Sequence, residues 1–343
     1  MADVATTAAQ RFGLVGRPVA PSVDALLAGA VDRRPLDDHE GKSGARLERL
    51  AIDGRAYVVK HLVLADDWIR RATHDDRCRS IQLWELGVYD QLPGGIDSAM
   101  AGCARDGHDG VLLLHDLGDR LVPDGDGVVS LDDHRAFVAA MAALHAHYLG
   151  LDDELGLLPL GPRLTEFSPA SYRAERAAGY DSFIPGLAQE GWQRMATTSP
   201  ALADLVLPLL EDPAPLVAAC EASGPLTLVH GNWKLANLGR HPDGRTILID
   251  WESPGRAPGP FDLTWYLAIN IARLPEAHEA VIDAYRTAFL ALVPEATAWF
   301  DAQLDLALIG AFAQLGWEKC LGERGAELDW WEARVLAAAA RLP

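Results

Sequence analysis

The chain has 343 residues, which is enough for two regions that each bury a core of their own. Its composition, 49% hydrophobic and 23% charged, is typical of a soluble globular protein. A formal net charge of -19 argues against a nucleic-acid partner, because no basic surface is available to displace counterions from phosphates.

Cysteine usage and hydropathy indicate a cytoplasmic protein. The four cysteines are far apart in the sequence, which favours reduced thiols over a disulfide framework or a zinc site. Residues 1–20 show no basic start followed by an apolar run, so no signal peptide is expected. Charged residues interrupt every apolar stretch before it reaches the length of a membrane span, so no membrane partner is expected.

The first half of the chain predicts a small sheet and a helix. Residues 44–50 and 55–64 alternate apolar and polar positions, and Asp53-Gly54 between them is a hairpin signal. From residue 68 to residue 92 the apolar period becomes helical and ends before Pro93-Gly94-Gly95.

The second half predicts a mainly helical region. A buried strand at 111–114 precedes a strong helix at 131–148, and further helices are expected at 262–272 and between 275 and 342. Between these helices, Pro242-Asp243-Gly244 is a turn signature that predicts two neighbouring strands.

The segment from His230 to Asn237, followed by Asp250, carries the most specific chemical signal. The predicted hairpin brings Asn237 and Asp250 close together, and amide and carboxylate oxygens are ligands that Mg²⁺ accepts. His230 opens the segment and is expected to hydrogen-bond the loop backbone. Asp262 begins the next helix, where capping the helix and bracing the loop compete with contacting a substrate.

Other candidates lie in the first half. Lys60 closes an apolar strand, and any surface strand can end in a lysine. Glu85 follows on the predicted helix and could hold the amine of Lys60 in place, although it could also lie on a solvated helix face. Asp75, Asp76 and Asp90 are rival candidates for this partner. Backbone amides of a small-residue turn could approach phosphates, although an ordinary hairpin turn explains the same residues. This turn contains Gly41, Ser43 and Gly44. A strand edge that ends near His115 and Leu117 could pair with a planar base.

Taken together, these residues resemble the aminoglycoside phosphotransferase and choline kinase-like family. The resemblance covers about residues 40 to 340 and rests on the segment from His230 to Asn237, on Asp250 within Ile-Asp-Trp, on Asp262, and on Lys60 with the helix containing Leu144-His145-Ala146.

The resemblance implies an α+β, bilobal, protein-kinase-like fold. It implies a small β-rich N-terminal lobe at 1–113 and a larger, mainly helical C-terminal lobe at 114–343. It also implies ATP and Mg²⁺ as cofactors and phosphorylation of a hydroxyl group on a small molecule. By this likeness Asn237 and Asp250 hold the metal, Lys60 holds phosphates with Glu85 as its partner, and Asn232 occupies the position of the catalytic base.

Asn232 departs from the family pattern, which has aspartate after His-Gly. Asparagine keeps the shape and one acceptor oxygen but cannot carry away the proton of the attacking hydroxyl, an assistance worth on the order of 10²–10⁴-fold in rate. Lys234 could stabilise the transferring phosphate, yet a protonated lysine is no base. Binding of nucleotide and metal should survive.

Three explanations for Asn232 stay open: an introduced inactivating change, which the otherwise intact site favours, a natural pseudokinase, or a substrate that is activated in another way. In function, the alternatives to a small-molecule phosphotransferase are a nucleotide-binding pseudokinase that acts as a scaffold or regulator of a partner enzyme, and a kinase for a peptide hydroxyl. No motif identifies the acceptor or a protein partner.

Overall fold

The computed structural model of the chain describes residues 7–36, 44–152 and 155–342. The N-terminal part is rich in β-structure and the longer C-terminal part is mainly helical, which confirms the α+β class. The strands are β1 Val31–Pro35, β2 Arg46–Ile52, β3 Arg55–Leu62, β4 Ile96–Asp97, β5 Met100–Asp106, β6 Asp109–His115, β7 Thr227–Val229, β8 Leu238–Arg240, β9 Thr246–Leu248 and β10 Gly255–Ala257.

Fourteen α-helices accompany these strands in the described residues. They are α1 Ala8–Arg11, α2 Val23–Leu26, α3 Trp68–Ala72, α4 Arg79–Leu86, α5 Leu131–His147, α6 Leu160–Thr165, α7 Pro169–Ala177, α8 Phe183–Thr198, α9 Pro200–Glu211, α10 Ala214–Ala222, α11 Pro260–Asn270, α12 His278–Leu292, α13 Phe300–Lys319 and α14 Ala326–Ala339.

The main sheet is antiparallel, with the strand order β1-β2-β3-β6-β5. The predicted hairpin of β2 and β3 is confirmed: Ile52 pairs with Arg55 across a turn in which Asp53 and Gly54 both adopt positive φ angles, 49° and 72°. Because the side chains of a strand alternate between two faces, each strand serves both sides of this sheet. Leu112 therefore belongs to the cluster against α4, whereas its neighbours in β6 pack against α2.

The C-terminal region is built around α13. Most of its side chains are buried, as is expected of a helix that is surrounded on all sides by other helices. It packs against α8, α11 and α14. No helix within the described ranges is both long enough and apolar enough to cross a bilayer.

Two small sheets accompany the main sheet. β8 and β9 form the predicted hairpin, and β4 adds to it in parallel through Ile96 and Thr246. β7 pairs with β10 in a separate antiparallel ladder. The segments that connect these paired strands, at residues 230–237 and 249–254, contain the residues of the candidate site. The boundary at residue 113 stays a prediction.

Several boundaries differ from expectation. The helix predicted for 68–92 is interrupted between α3 and α4, where His74 and Cys78 adopt positive φ angles of 53° and 56°. β5 was not predicted, because its run of small residues has little intrinsic preference for a strand, and pairing with β6 supplies its stability. All four cysteines are buried, and burial raises the thiol pKa of Cys78, Cys103 and Cys220 to about 12.

A bidentate ion pair joins the two regions. Arg71 on α3 donates from Nε to Glu175 Oε1 at 2.8 Å and from Nη2 to Oε2 at 2.6 Å. The guanidinium carbon also lies 3.7 Å from the centroid of the Tyr180 ring, and Ser182 Oγ donates to Glu175 at 2.9 Å. Both charges are largely removed from water, so this pair is of the kind that stabilises a fold through charge-assisted bonds.

We therefore expect Glu175→Gln to lower the free energy of unfolding by about 2 kcal/mol, because Arg71 loses one charged acceptor inside the structure. Urea titration followed by circular dichroism measures the change. The matched control is Asp181→Asn, which removes the partner of Arg176 in an exposed ion pair and should leave stability unchanged. Equal losses in both variants would contradict the assignment.

Candidate active site

The hairpin of β8 and β9 brings the two candidate metal residues together. The N–H of Ile249 donates to the carbonyl of Asn237 at 3.0 Å, so the residues that flank the two strands are neighbours. Asn237 Nδ2 lies 3.3 Å from Asp250 Oδ2. The side chain of Asn237 is buried and that of Asp250 is largely so.

Asp262 holds the loop that begins at His230. Its Oδ2 accepts from the N–H of His230 at 2.7 Å, and its Oδ1 accepts from the N–H of Gly231 at 2.8 Å. His145 Nε2 lies 3.1 Å from the same carboxylate. Burial opposes ionisation of Asp262, but these hydrogen bonds, first among them the one from His145, keep its pKa below the usual value. Its helix α11 has no side-chain cap, so Asp262 braces the loop and does not cap the helix.

The imidazole of His230 is a neutral link inside the loop. Nδ1 lies 3.2 Å from the N–H of Asn232, and Nε2 lies 3.0 Å from the carbonyl of Ile249. This pattern requires Nδ1 to accept and Nε2 to donate. Burial lowers the pKa of His230 to about 4, although the carboxylates of Asp262 and Asp250 act in the opposite direction.

Gly231 is required by a close backbone approach. It has a φ angle of +77°, and a Cβ atom there would lie 2.1 Å from the carbonyl oxygen of Ser253. Its own carbonyl accepts a hydrogen bond from the buried guanidinium of Arg163, which also pairs with Glu166. Any side chain at residue 231 would force the loop away from this position.

Lys60 extends from β3 into a pair of carboxylates. Its Nζ lies 2.5 Å from Asp250 Oδ1 and also contacts Glu252 Oε1. Although burial favours a neutral amine, the two acids raise the pKa of Lys60. Burial likewise opposes ionisation of Asp250, but Lys60 and then Lys234 hold its pKa far below the usual range. The outcome differs for Glu252: burial raises its pKa to about 8 despite Lys60, and burial raises that of Asp67 to about 6.

Glu85 does not reach Lys60, contrary to expectation. Its carboxylate accepts from Arg105 Nη2 at 2.7 Å and from Nε at 3.2 Å, and its side chain is 37% exposed. The helix turns Ile81 and Trp84 toward the sheet in its place. The contact of α4 with the site runs through Ser80, whose Oγ donates to the carbonyl of Trp251 at 2.6 Å.

Asn232 is tied to the metal residues through its amide. Its Nδ2 donates to Asp250 Oδ2 at 2.9 Å, and its backbone carbonyl accepts from Asn237 Nδ2 at 2.9 Å. The same carbonyl accepts from the N–H of Lys234 at 2.9 Å. An aspartate at 232 could not donate to Asp250, so the asparagine supplies a bond that the family residue would lack.

Three of the remaining nucleotide candidates, Gly44, His115 and Leu117, lie in the described residues. Gly44 has a φ angle of +97°, and a Cβ atom there would lie 2.2 Å from the carbonyl of Asp66. The N–H of His115 donates to Ala99 at 2.8 Å, so this amide is already used by the sheet. The carbonyl of Leu117 accepts from Arg120 at 3.2 Å. The other two turn candidates, Gly41 and Ser43, lie outside the described residues.

Three residues of the site were missed in the sequence. Glu252 was overlooked although it stands two residues after Asp250, a spacing that can aim two carboxylates the same way. His145 entered only through the helix motif Leu144-His145-Ala146, with no role of its own, yet it is buried against Asp262 and Tyr285. Arg163 carried no signal, because nothing in its neighbourhood links it to the distant loop.

The donor set suits a hard cation. Asp250 offers carboxylate oxygens, and Asn237 carries an amide oxygen on the adjacent strand end, which is the chemistry Mg²⁺ prefers. In the part of the chain that the structure describes, no cluster of three or more His, Cys, Asp or Glu side chains is arranged to hold a metal without help. A magnesium ion here would need further ligands from phosphates or water, as is usual for this metal.

Solved structures of small-molecule phosphotransferases are similar to this chain in overall fold. Choline kinase LicA from Streptococcus pneumoniae is 14% identical with a TM-score of 0.44, covering 92% of this chain and 95% of that one. Aminoglycoside phosphotransferase APH(3'')-Id from Streptomyces rimosus ATCC10970 is 16% identical with a TM-score of 0.46, covering 85% and 96%. These neighbours come from the family that the catalytic segment resembles. No family model and no curated protein sequence matches the chain.

Asp262→Asn should lower the free energy of unfolding by about 3 kcal/mol, because an amide cannot accept from both backbone groups and leaves His145 facing a neutral partner. Urea titration measures the loss. Asp283→Asn, which changes an exposed acid on α12, is the control and should have no effect. A loss below 1 kcal/mol for Asp262→Asn would contradict the bracing role.

Glu252 should make the metal-free protein less stable as pH rises. Its pKa is about 8 in the folded chain against an ordinary 4.5, so the folded state binds a proton that the unfolded state releases. His230 acts in the opposite sense, but only below its ordinary value of 6.5. Between pH 6.5 and 8 we therefore expect the wild-type chain to lose up to about 2 kcal/mol relative to Glu252→Gln.

The measurement is urea unfolding of both chains at several pH values in the presence of a chelator. Parallel stability curves for the two chains in this window would show that Glu252 is ionised throughout, contrary to the expectation.

Proposed function

We propose that the chain is an ATP- and Mg²⁺-binding phosphotransferase of the kinase-like type, with a hydroxyl group of a small molecule as acceptor and a catalytic step slowed by Asn232. The observation that carries this proposal is the convergence of Lys60, Asn237 and Asp250. Lys60 comes from the sheet in the N-terminal region, whereas Asn237 precedes and Asp250 follows the hairpin of β8 and β9 in the C-terminal region. Asp250 nevertheless lies within hydrogen-bonding distance of both other side chains.

The charges of the site fit a phosphate chain with its metal. Asp250 and Asn237 would hold magnesium, which would neutralise charge on the phosphates. Lys60 would bind phosphate oxygens, because its amine stays protonated in this environment. Lys234 stands two residues after Asn232 and adds a second positive charge that acts on Asp250. These residues would position the phosphates and neutralise their negative charge, and catalysis of phosphoryl transfer consists mostly of these two effects.

The acceptor hydroxyl must lose its proton as its oxygen bonds to phosphorus and the bond to the leaving diphosphate breaks. In this chain the residue at the base position, Asn232, could orient the hydroxyl through its free amide oxygen. Asn232 cannot take the proton. Lys234 is unsuited because a protonated lysine is no base, and both ring nitrogens of the buried His230 are already hydrogen-bonded to the backbone. The proton would pass to solvent or to phosphate, which lowers the rate.

A second candidate is favoured by one contact. The Asn232 amide donates to Asp250 and so fixes the loop without any metal, which is what a nucleotide-binding pseudokinase would need to present a stable surface to a partner enzyme. In that case nucleotide would bind and no acceptor would be phosphorylated.

Asn232→Asp separates these candidates. With Mg-ATP and a panel of hydroxylated metabolites and aminoglycosides, we expect the variant to consume ATP at least about 10²-fold faster than the wild-type chain with one class of acceptor, because a general base is restored. Product formation by mass spectrometry identifies the acceptor. Asn232→Asp combined with Asp250→Asn is the control and should be inactive.

Binding is measured in parallel by calorimetry. If both chains bind Mg-ATP and neither phosphorylates any acceptor, the pseudokinase function stands in place of the transferase. If the wild-type chain is as fast as Asn232→Asp, the role given to residue 232 is wrong.

A further inference from the structure

The amine of Lys60 can bind phosphate at a defined position only if a fixed partner holds it. A lysine side chain has four rotatable bonds, and holding its amine at one point of a cleft requires an acceptor that is itself fixed. Asp250 contacts the amine at 2.5 Å, but it is also the carboxylate best placed for a metal. Glu252 is the second acid in contact with Nζ and is 8% exposed.

The backbone around Glu252 is fastened from several sides. Asp250 has a φ angle of 68°, which turns the chain so that the acids at 250 and 252 reach the same amine. Between them, the carbonyl of Trp251 accepts from Ser80 on α4, and the Trp251 Nε1–H donates to the carbonyl of Leu248 at 2.8 Å. The Trp251 ring also packs edge-on against His230, with a centroid distance of 4.6 Å.

Helix α4 offers no substitute. Glu85 is its one acidic residue, and that carboxylate is committed to Arg105 near the surface. The positions that face the sheet are Ile81 and Trp84, which cannot accept a hydrogen bond from an amine. Lys60 therefore takes its second acceptor from the segment that follows the metal residue.

We propose that Glu252 is the positioning residue of Lys60, in the place that a helix carboxylate would otherwise fill. The role rests on the nucleotide site proposed above. It also implies that α4 influences Lys60 indirectly, through the hydrogen bond from Ser80 to the backbone between the two acids.

Nucleotide affinity tests the role. We expect Glu252→Ala to weaken binding of ATP about tenfold by calorimetry, both with Mg²⁺ and in a chelator, because the lysine acts on phosphate in either case. Glu252→Gln keeps an acceptor oxygen and should recover part of the loss. In the Lys60→Met background, Glu252→Ala should weaken binding by less than twofold further.

Two results would overturn the proposal. If Glu252→Ala weakens only Mg-ATP, and does so equally with and without Lys60, then Glu252 acts on the metal. If Glu85→Gln weakens ATP as much as Glu252→Ala does, the helix carboxylate positions the lysine after all.

A measurement without nucleotide separates this proposal from the proposed function. The loss of Tm caused by Glu252→Ala should be smaller in the Lys60→Met chain than in the wild-type chain, because the contact is already missing there. Equal losses would show that Lys60 and Glu252 are not coupled, and would overturn the positioning role. If the wild-type chain binds no nucleotide, the proposed function fails, while this comparison still decides whether Glu252 holds Lys60.

Discussion

The candidate site depends on one positive charge placed among carboxylates. Lys60 comes from the sheet, and Asp250 and Glu252 come from the far side of the cleft, so their contact also joins the two regions of the chain. A single amine cannot neutralise both acids fully inside a poorly hydrated space. Asp250 keeps its charge and Glu252 tends to hold a proton. With Lys60 charged, Asp250 ionised and Glu252 protonated, the three groups carry no net charge, and release of the Glu252 proton would leave the negative charge that attracts a cation.

The loop beneath this charge cluster is held by buried polar groups that satisfy one another. Asp262 accepts two backbone N–H groups, and His145 supports the same carboxylate. The neutral imidazole of His230 connects the start of the loop to the strand end that leads to Asp250. Because each of these bonds lies out of water, loss of one partner would leave another unsatisfied, and the loop has little freedom to rearrange. Its rigidity comes from this network and not from regular secondary structure.

Much of this fold could be predicted from sequence wherever the signal is local. The turn at Asp53-Gly54 and the turn that begins at Pro242 identify both hairpins, and the helical period identifies α5. Prediction failed where tertiary contacts decide. The strand β5 depends on its neighbour, and helix periodicity could not show that Glu85 faces Arg105. The role proposed for Glu252 depends on the positive φ angle of Asp250, a conformation that aspartate adopts more readily than most residues but that the apolar, strand-like sequence before it does not predict.

The amide of Asn232 has a consequence for the ageing of the protein. Asparagine side chains hydrolyse slowly to the acid, and this one differs from the expected base only by that reaction. Deamidation would remove the donor that binds Asp250 and create a carboxylate in the same place. Where the product is aspartate and not isoaspartate, the chain would carry a carboxylate at the base position, so a stored sample would gather at most a minor population with restored base chemistry. Traces of turnover in an old preparation would then report on its chemical history, which mass spectrometry of the proteolytic peptide that contains residue 232 can reveal.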